Sequence, residues 1–273
     1  MKMQRRQFLK TTLTASAVAS AALTLSTSSA SAAAANAGPN GDREYYELRA
    51  YRLKAGAPST LLDAYLEKAL IPALNERGIA HVGVFTEPEA KDGPAVWVLI
   101  PHPSLESVAS VAATLNRDAK VQSAGAEYLQ TPKATPGFER IDSWLLLAFT
   151  GMPKHELTAN TASRGPRIFE MRSYESFSEL KALKKMDMFN DGEIEVMKEV
   201  GLAPVFFAQA LTGKDLPHLT YMTSATDRDA HKLHWAAFGK HPVWVKLRND
   251  PQYADTVSKN TSRFLVPTAY SQI

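Results

Sequence analysis

Polar and apolar residues alternate along Tyr45-Tyr46-Glu47-Leu48-Arg49-Ala50-Tyr51. In a strand this puts Glu47, Arg49 and Tyr51 on one face and Tyr46, Leu48 and Ala50 on the other. The alternation returns 123 residues later as Ile168-Phe169-Glu170-Met171-Arg172-Ser173-Tyr174. After the first copy, Leu61, Leu62, Tyr65, Leu66, Ala69, Leu70, Ala73 and Leu74 recur at helical spacing as one apolar face. Gly78 stands where a C-cap glycine belongs. Apolar runs at 79–85 and 96–100, parted by the turn-forming Lys91-Asp92-Gly93-Pro94, predict two strands. A second helix is predicted over 104–121 and a last strand over 141–149. The order is β-α-β-β-α-β, a ferredoxin-like unit.

The 123-residue offset holds well beyond the opening strand. Glu76-Arg77-Gly78-Ile79-Ala80-His81-Val82 falls on Glu199-Val200-Gly201-Leu202-Ala203-Pro204-Val205. Lys91-Asp92-Gly93-Pro94 falls on Lys214-Asp215-Leu216-Pro217, Val96-Trp97-Val98-Leu99-Ile100 on Leu219-Thr220-Tyr221-Met222-Thr223, and Arg140 on Arg263. Matches this widely spread, at one offset and without a gap, indicate a tandem duplication. The expected fold is α+β, with two tandem ferredoxin-like domains at 43–150 and 166–273. The polar, aperiodic stretch 151–165 reads as their linker.

The N-terminus changes the charge picture. Arg5-Arg6-Gln7-Phe8-Leu9-Lys10 precedes a weakly apolar run and the small residues Ala30-Ser31-Ala32, the layout of a removable signal over 1–36. The paired arginines resemble a Tat signal, so a periplasmic or secreted location is expected. The apolar run is short for a membrane anchor. The formal net charge is +3 for the whole chain; without Lys2, Arg5, Arg6 and Lys10 there remain 27 basic and 28 acidic residues. No basic face for nucleic acid and no membrane span in the mature chain are expected. The chain has no cysteine, which excludes disulfides, thiolate nucleophiles and cysteine metal sites.

The E-L-R-x-Y strand, the E-x-G-[IL] helix ends and the segment His234-Trp235-Ala236-Ala237-Phe238-Gly239-Lys240-His241-Pro242-Val243-Trp244 resemble the NIPSNAP family. The resemblance covers nearly the whole mature chain, once per half. It weakens in the first half, where Leu115, Asp118 and Val121 stand at the positions of Phe238, His241 and Trp244. It implies the dimeric α/β-barrel superfamily, here as a pseudo-dimer within one chain. That superfamily includes cofactor-free monooxygenases, isomerase-like enzymes and haem-binding members.

On this basis the apolar strand face is expected beneath the helices. Glu47, Arg49, Tyr51, Glu170, Arg172 and Tyr174 are then expected to line the barrel interior as candidate ligand-binding residues. In an enzymatic form arginine would fix an anionic group, and tyrosine or glutamate would move a proton. The competing reading is a structural Glu–Arg pair across strands. His231 and His234, at i and i+3 with Asp227 one turn earlier, form an alternative haem or metal site, although two histidines fall short of a ligand set. Trp235, Phe238 and Trp244 are expected to lock a helix onto the sheet. No G-x-S-x-G, Walker or G-x-G-x-x-G motif is present. The leading expectation is a small-molecule ligand in the barrel without a cofactor; the rivals are a non-catalytic interaction module and haem or metal binding. A homo-oligomer is compatible with either class.

Overall fold

The computed structural model describes residues 41–273; the signal expected over 1–36 lies outside the described residues. The first half contributes β1 (Tyr45–Arg52), β2 (Gly83–Thr86), β3 (Ala95–His102) and β4 (Arg140–Ala148). The second contributes β5 (Ile168–Glu175), β6 (Pro204–Thr212), β7 (His218–Ala225) and β8 (Lys259–Pro267). All neighbours are antiparallel, and the order β1-β3-β2-β8-β5-β7-β6-β4 closes on itself as a barrel. Each half alone would leave two free edges. The β2–β8 and β4–β6 seams close them within one chain.

Helices cover the outside. The first half has α1 (Thr60–Tyr65), α2 (Ile71–Glu76), α3 (Leu105–Thr114), α4 (Ala119–Ala124) and α5 (Ala126–Leu129). A short α6 (Ala159–Ala162), capped by Thr158, interrupts the linker that reads as aperiodic in the sequence. The second half has α7 (Glu179–Met188), α8 (Ile194–Glu199), α9 (Arg228–Lys240) and α10 (Pro242–Arg248). The helix expected over 104–121 is broken between α3 and α4, because Asp118 turns extended and its carboxylate accepts from Lys120 N to cap α4.

Two unusual turns repeat at the same spacing as the strands. α1 runs into α2 through a π-helical turn at Leu66–Leu70, and α7 into α8 through one at Phe189–Glu193, 123 residues later. Gly78 (φ +78°) and Gly201 (φ +83°) then end α2 and α8. The bonds Ile79 N to Leu74 O (3.0 Å) and Leu202 N to Met197 O (2.9 Å) identify both as Schellman ends, with the C-cap glycine in place.

The expected facing of the strands is reversed. Tyr46, Leu48 and Ala50 pack with Phe169, Met171 and Phe206 inside the barrel, in a core shared by both halves. Tyr51 lies instead with Leu62, Leu66 and Leu70 beneath the first helical layer, and Tyr174 with Met186 and Phe189 beneath the second. Glu47, Arg49, Glu170 and Arg172 share the facing of these tyrosines, so they lie between sheet and helices. The middle of the barrel is filled by apolar side chains from all eight strands. The helix–sheet layer supplies polar partners for the charged face, among them His231, Trp235 and Ser262 for Glu170.

Candidate functional site

The six strand residues singled out from the sequence form two self-contained clusters. In the first half Arg49 Nε and Nη2 donate to both oxygens of Glu47 (2.6 and 2.7 Å), and Nη1 reaches Tyr51 OH at 3.3 Å. In the second half Glu170, 2 % exposed, accepts from Arg172 Nε (2.7 Å), Ser262 Oγ (2.5 Å) and Trp235 Nε1 (3.0 Å), with His231 Nε2 at 2.7 Å. Burial alone would raise the Glu170 carboxyl. The His231 hydrogen bond, the Arg172 charge and the remaining donors outweigh it and bring the carboxyl down to about 2. Glu47 is likewise brought down to about 2, burial being opposed by His102 and Arg49.

The helix histidines have separate surroundings. His231 is buried against Glu170, Trp235 and Phe264. The ring of His234 packs over Gly201 at the end of α8. Among the described residues no group of three His, Cys, Asp or Glu is placed to hold a metal. Trp235, Phe238 and Trp244 stack in sequence at 5.2 and 4.6 Å. This is the lock between helix and sheet, and Trp235 also carries the Arg172 guanidinium 4.0 Å above its ring.

The concave site lies elsewhere, at one mouth of the barrel, where a cleft of 1170 Å³ opens. Leu48 and Met171, equivalent residues of the two halves, form part of its lining. The turns containing Lys91-Asp92 and Lys214-Asp215 both stand on its rim. The rest of the barrel is filled by Tyr46, Phe85, Phe169, Phe206 and Ile273, each nearly or wholly buried.

One wall of the cleft is aromatic. Trp97 stacks on Trp144 (5.9 Å, 20°), and both the Arg52 and Arg263 guanidinium groups lie 5.4 Å from the Trp97 ring centre. Trp97 Nε1 donates to Glu87 (3.0 Å). Arg263 is shared by Glu87 (2.9 Å) and Asp92 (2.5 Å). Conversely, two cations share Asp142: Arg52 Nε donates to it at 3.0 Å, and Lys214 Nζ donates to its other oxygen. Burial would raise the Asp142 carboxyl, but these two donors hold it below the ordinary carboxylate value.

The facing wall is polar. β3 and β7 are four places apart in a ring of eight, so Trp97 looks across at Thr220 and His218. Ser173 Oγ and Thr220 Oγ1 are hydrogen-bonded at 2.8 Å, and Thr220 Oγ1 is 3.2 Å from His218 Nδ1. His218 is 4 % exposed, and its Nε2 has no hydrogen-bond partner among the described residues; the same is true of Arg52 Nη1. Burial lowers the His218 pKa from its ordinary value, which keeps the imidazole neutral at pH 7. At the equivalent positions 123 residues earlier stand Ala50, Ala95 and Trp97.

The sequence reading passed over these residues because they sit at strand ends on the apolar facing. The available signal was a broken alternation: Arg52 continues the Tyr46, Leu48, Ala50 series, and Ser173 and Glu175 continue that of Phe169 and Met171.

Residues 169–272 match the NIPSNAP family profile. No curated protein matches the chain. A proposed monooxygenase of Lactobacillus acidophilus NCFM superposes with a TM-score of 0.54 at 9 % identity, over 82 % of this chain and 94 % of that one. A second, from Fusobacterium nucleatum subsp. nucleatum ATCC 25586, gives 0.51 at 8 % identity, over 82 % and 92 %. A NIPSNAP-like domain protein of Burkholderia xenovorans is 18 % identical over 39 % of this chain and 89 % of its own, with a TM-score of 0.35. At such identities the first two likenesses speak to the fold alone, a mixed α/β barrel of antiparallel strands, and the family match is a property of the second half.

Proposed function

We propose that the protein binds a small organic molecule in the mouth cleft and that His218 takes a proton from it. The observation that carries this reading is the buried His218, bonded at Nδ1 to Thr220, which Ser173 holds in turn, and unpartnered at Nε2, in the lining of a large cleft. An imidazole left unprotonated, with one nitrogen committed and the other without a partner, has the form that accepting a proton requires. The proton passes from a weakly acidic C–H or O–H of the ligand to Nε2, leaving an imidazolium and a ligand anion beside the Arg52 guanidinium. The Glu/Arg/Tyr clusters then act behind the sheet, holding the strands that carry the cleft.

The wider reading is that of an exported, tandem NIPSNAP-type protein built from two ferredoxin-like units. The equal spacing of the strands, of the π-helical turns and of Gly78 and Gly201 supports the duplication. An interaction module is the second reading. It is favoured by Phe177, Leu180 and Leu183, which are exposed at the start of α7 and along it.

The test is a thermal-shift screen of small molecules on the full mature chain and on Thr220→Trp. The variant installs the residue of the equivalent first-half position and fills the cleft. Compounds that stabilise the parent and not the variant bind where proposed. Stabilisation indifferent to the substitution sinks the reading.

A further inference from the structure

Ion pairing differs between the two sides of the cleft mouth. Around the mouth, β1, β4, β6 and β7 are consecutive neighbours, so Arg52, Asp142, Lys214 and His218 follow one another along a single arc. Within it two cations, Arg52 and Lys214, share the buried carboxylate of Asp142, and Asp215 and Glu175 stand in the same lining near His218. Arg52 Nη1 and His218 Nε2, the two buried side-chain polar atoms of the cleft lining that lack a partner among the described residues, belong to the two ends of that arc. Across Trp97 the arrangement is opposite, with Arg263 shared by Glu87 and Asp92. The body of the cleft beside the arc is the flat Trp97–Trp144 pair.

We propose that the ligand is a carboxylate carried on a planar, ring-containing body, with its anionic end on the Arg52–Lys214 arc and its ring against Trp97 and Trp144. This rests on the cleft being the binding site, and it narrows the ligand class. A buried guanidinium nitrogen without an acceptor, with a lysine nearby, is a place a carboxylate oxygen fills and a neutral amide fills poorly. Arg52 is held in place by Asp142 through Nε, so its guanidinium needs little further ordering to meet a ligand. Lys214 is positioned by the chain before it. Gly213, at φ +136°, lets the backbone pass so close to Trp144 that a Cβ there would lie 2.2 Å from the ring.

The four tryptophans provide the readout, because Trp97 and Trp144 line the cleft whereas Trp235 and Trp244 lie in the helical layer. The full mature chain is titrated with 2-naphthoate and with its neutral counterpart 2-naphthamide, following the assigned indole N–H resonances. The expected result is movement of the Trp97 and Trp144 signals, with naphthoate at least tenfold tighter than naphthamide. That preference should vanish in Arg52→Met and shrink in Lys214→Met, a change at an exposed side chain that leaves the fold intact. Equal affinity for the two compounds at Trp97 and Trp144 overturns the carboxylate assignment and leaves the cleft standing as a site. Movement confined to Trp235 and Trp244, or none at all, overturns both.

Discussion

At the scale of single residues, Glu170 is where burial and charge meet most sharply. It is almost sealed from water, and its two oxygens are engaged by Arg172, Ser262, Trp235 and His231. Glu170→Gln keeps the shape, removes the charge and leaves Arg172 without its carboxylate. A loss of about 2–4 kcal/mol is expected by denaturant titration at pH 7. The pH dependence has a definite sign. Because the folded-state pKa of about 2 lies below the ordinary value of 4.5, the ionised form stabilises the fold, fully so above pH 4.5. That contribution, with the matching one from Glu47, disappears as the pH falls from 4.5 towards 2. Equal stability at pH 5 and pH 2.5 would contradict it. Gly213 offers a second test. Gly213→Ala forces a β-carbon against Trp144 at a φ that L-residues rarely adopt, so a cost of about 1–3 kcal/mol and an altered near-UV tryptophan signal are expected.

Between elements, the two helix–sheet layers solve one packing problem with different chemistry. Leu62 and Leu70 flank the first π-helical turn as buried apolar residues. At the same spacing around the second stand Lys185 and Glu193, buried and bonded at 2.8 Å, with Phe189 and Trp244 over the ammonium group. Burial raises the Glu193 carboxyl despite the lysine, a sign that desolvation is only partly offset. Changing either partner alone strands a buried polar group and should cost about 3–5 kcal/mol. The double change Lys185→Leu with Glu193→Leu restores the pair the first half already tolerates, and should be neutral or stabilise by about 1–4 kcal/mol. Additive losses in the double variant would reject this. Much at this scale was legible in the sequence. β1 and β5 announce themselves by alternation, α1 and α2 by their apolar stripe, and Gly78 by its place after that stripe. The facing of the strands was not legible, because Tyr46-Leu48-Ala50 is equally at home under helices or inside a barrel. Alternation fixes that two faces differ and is silent on which one a closed sheet turns inward. The Lys185–Glu193 pair escaped notice because i and i+8 on a helix read as a solvated face until a π-helical turn and a tryptophan enclose them.

For the whole molecule, the two seams carry unequal loads. The β4–β6 seam runs from Leu145 opposite Thr212 to Ala148 opposite Ala208, whereas β2 meets β8 only through Phe85 and Thr86. Bonds from Thr268 N to Val84 O and from Gln272 N to Val82 O extend that short seam, with Val84 N donating to Ser271 Oγ and Val82 N to the Gln272 side chain. Hydrogen exchange should therefore open β2 and the end of β8 before β1 and β5. Uniform protection around the barrel would count against that order. The export expected from the N-terminal sequence is a prediction at this scale too. Mass spectrometry of the mature protein should find a start between Ala33 and Asn40, and full-length protein recovered from the cytoplasm would argue against it.

Both halves end their first strands at the same mouth, and this bears on how a ligand is oriented. A barrel closed by two identical chains presents its occupant with a two-fold axis, so every pose has an equally good twin turned by half a revolution. Placing the halves in one chain lifts that equivalence. Trp97 and Thr220 stand 123 residues apart on strands four places apart in the ring, as do Ala95 and His218, and in each pair the two residues differ. A molecule entering here meets one way round that suits it and one that does not. The two ways round are then no longer equal in energy.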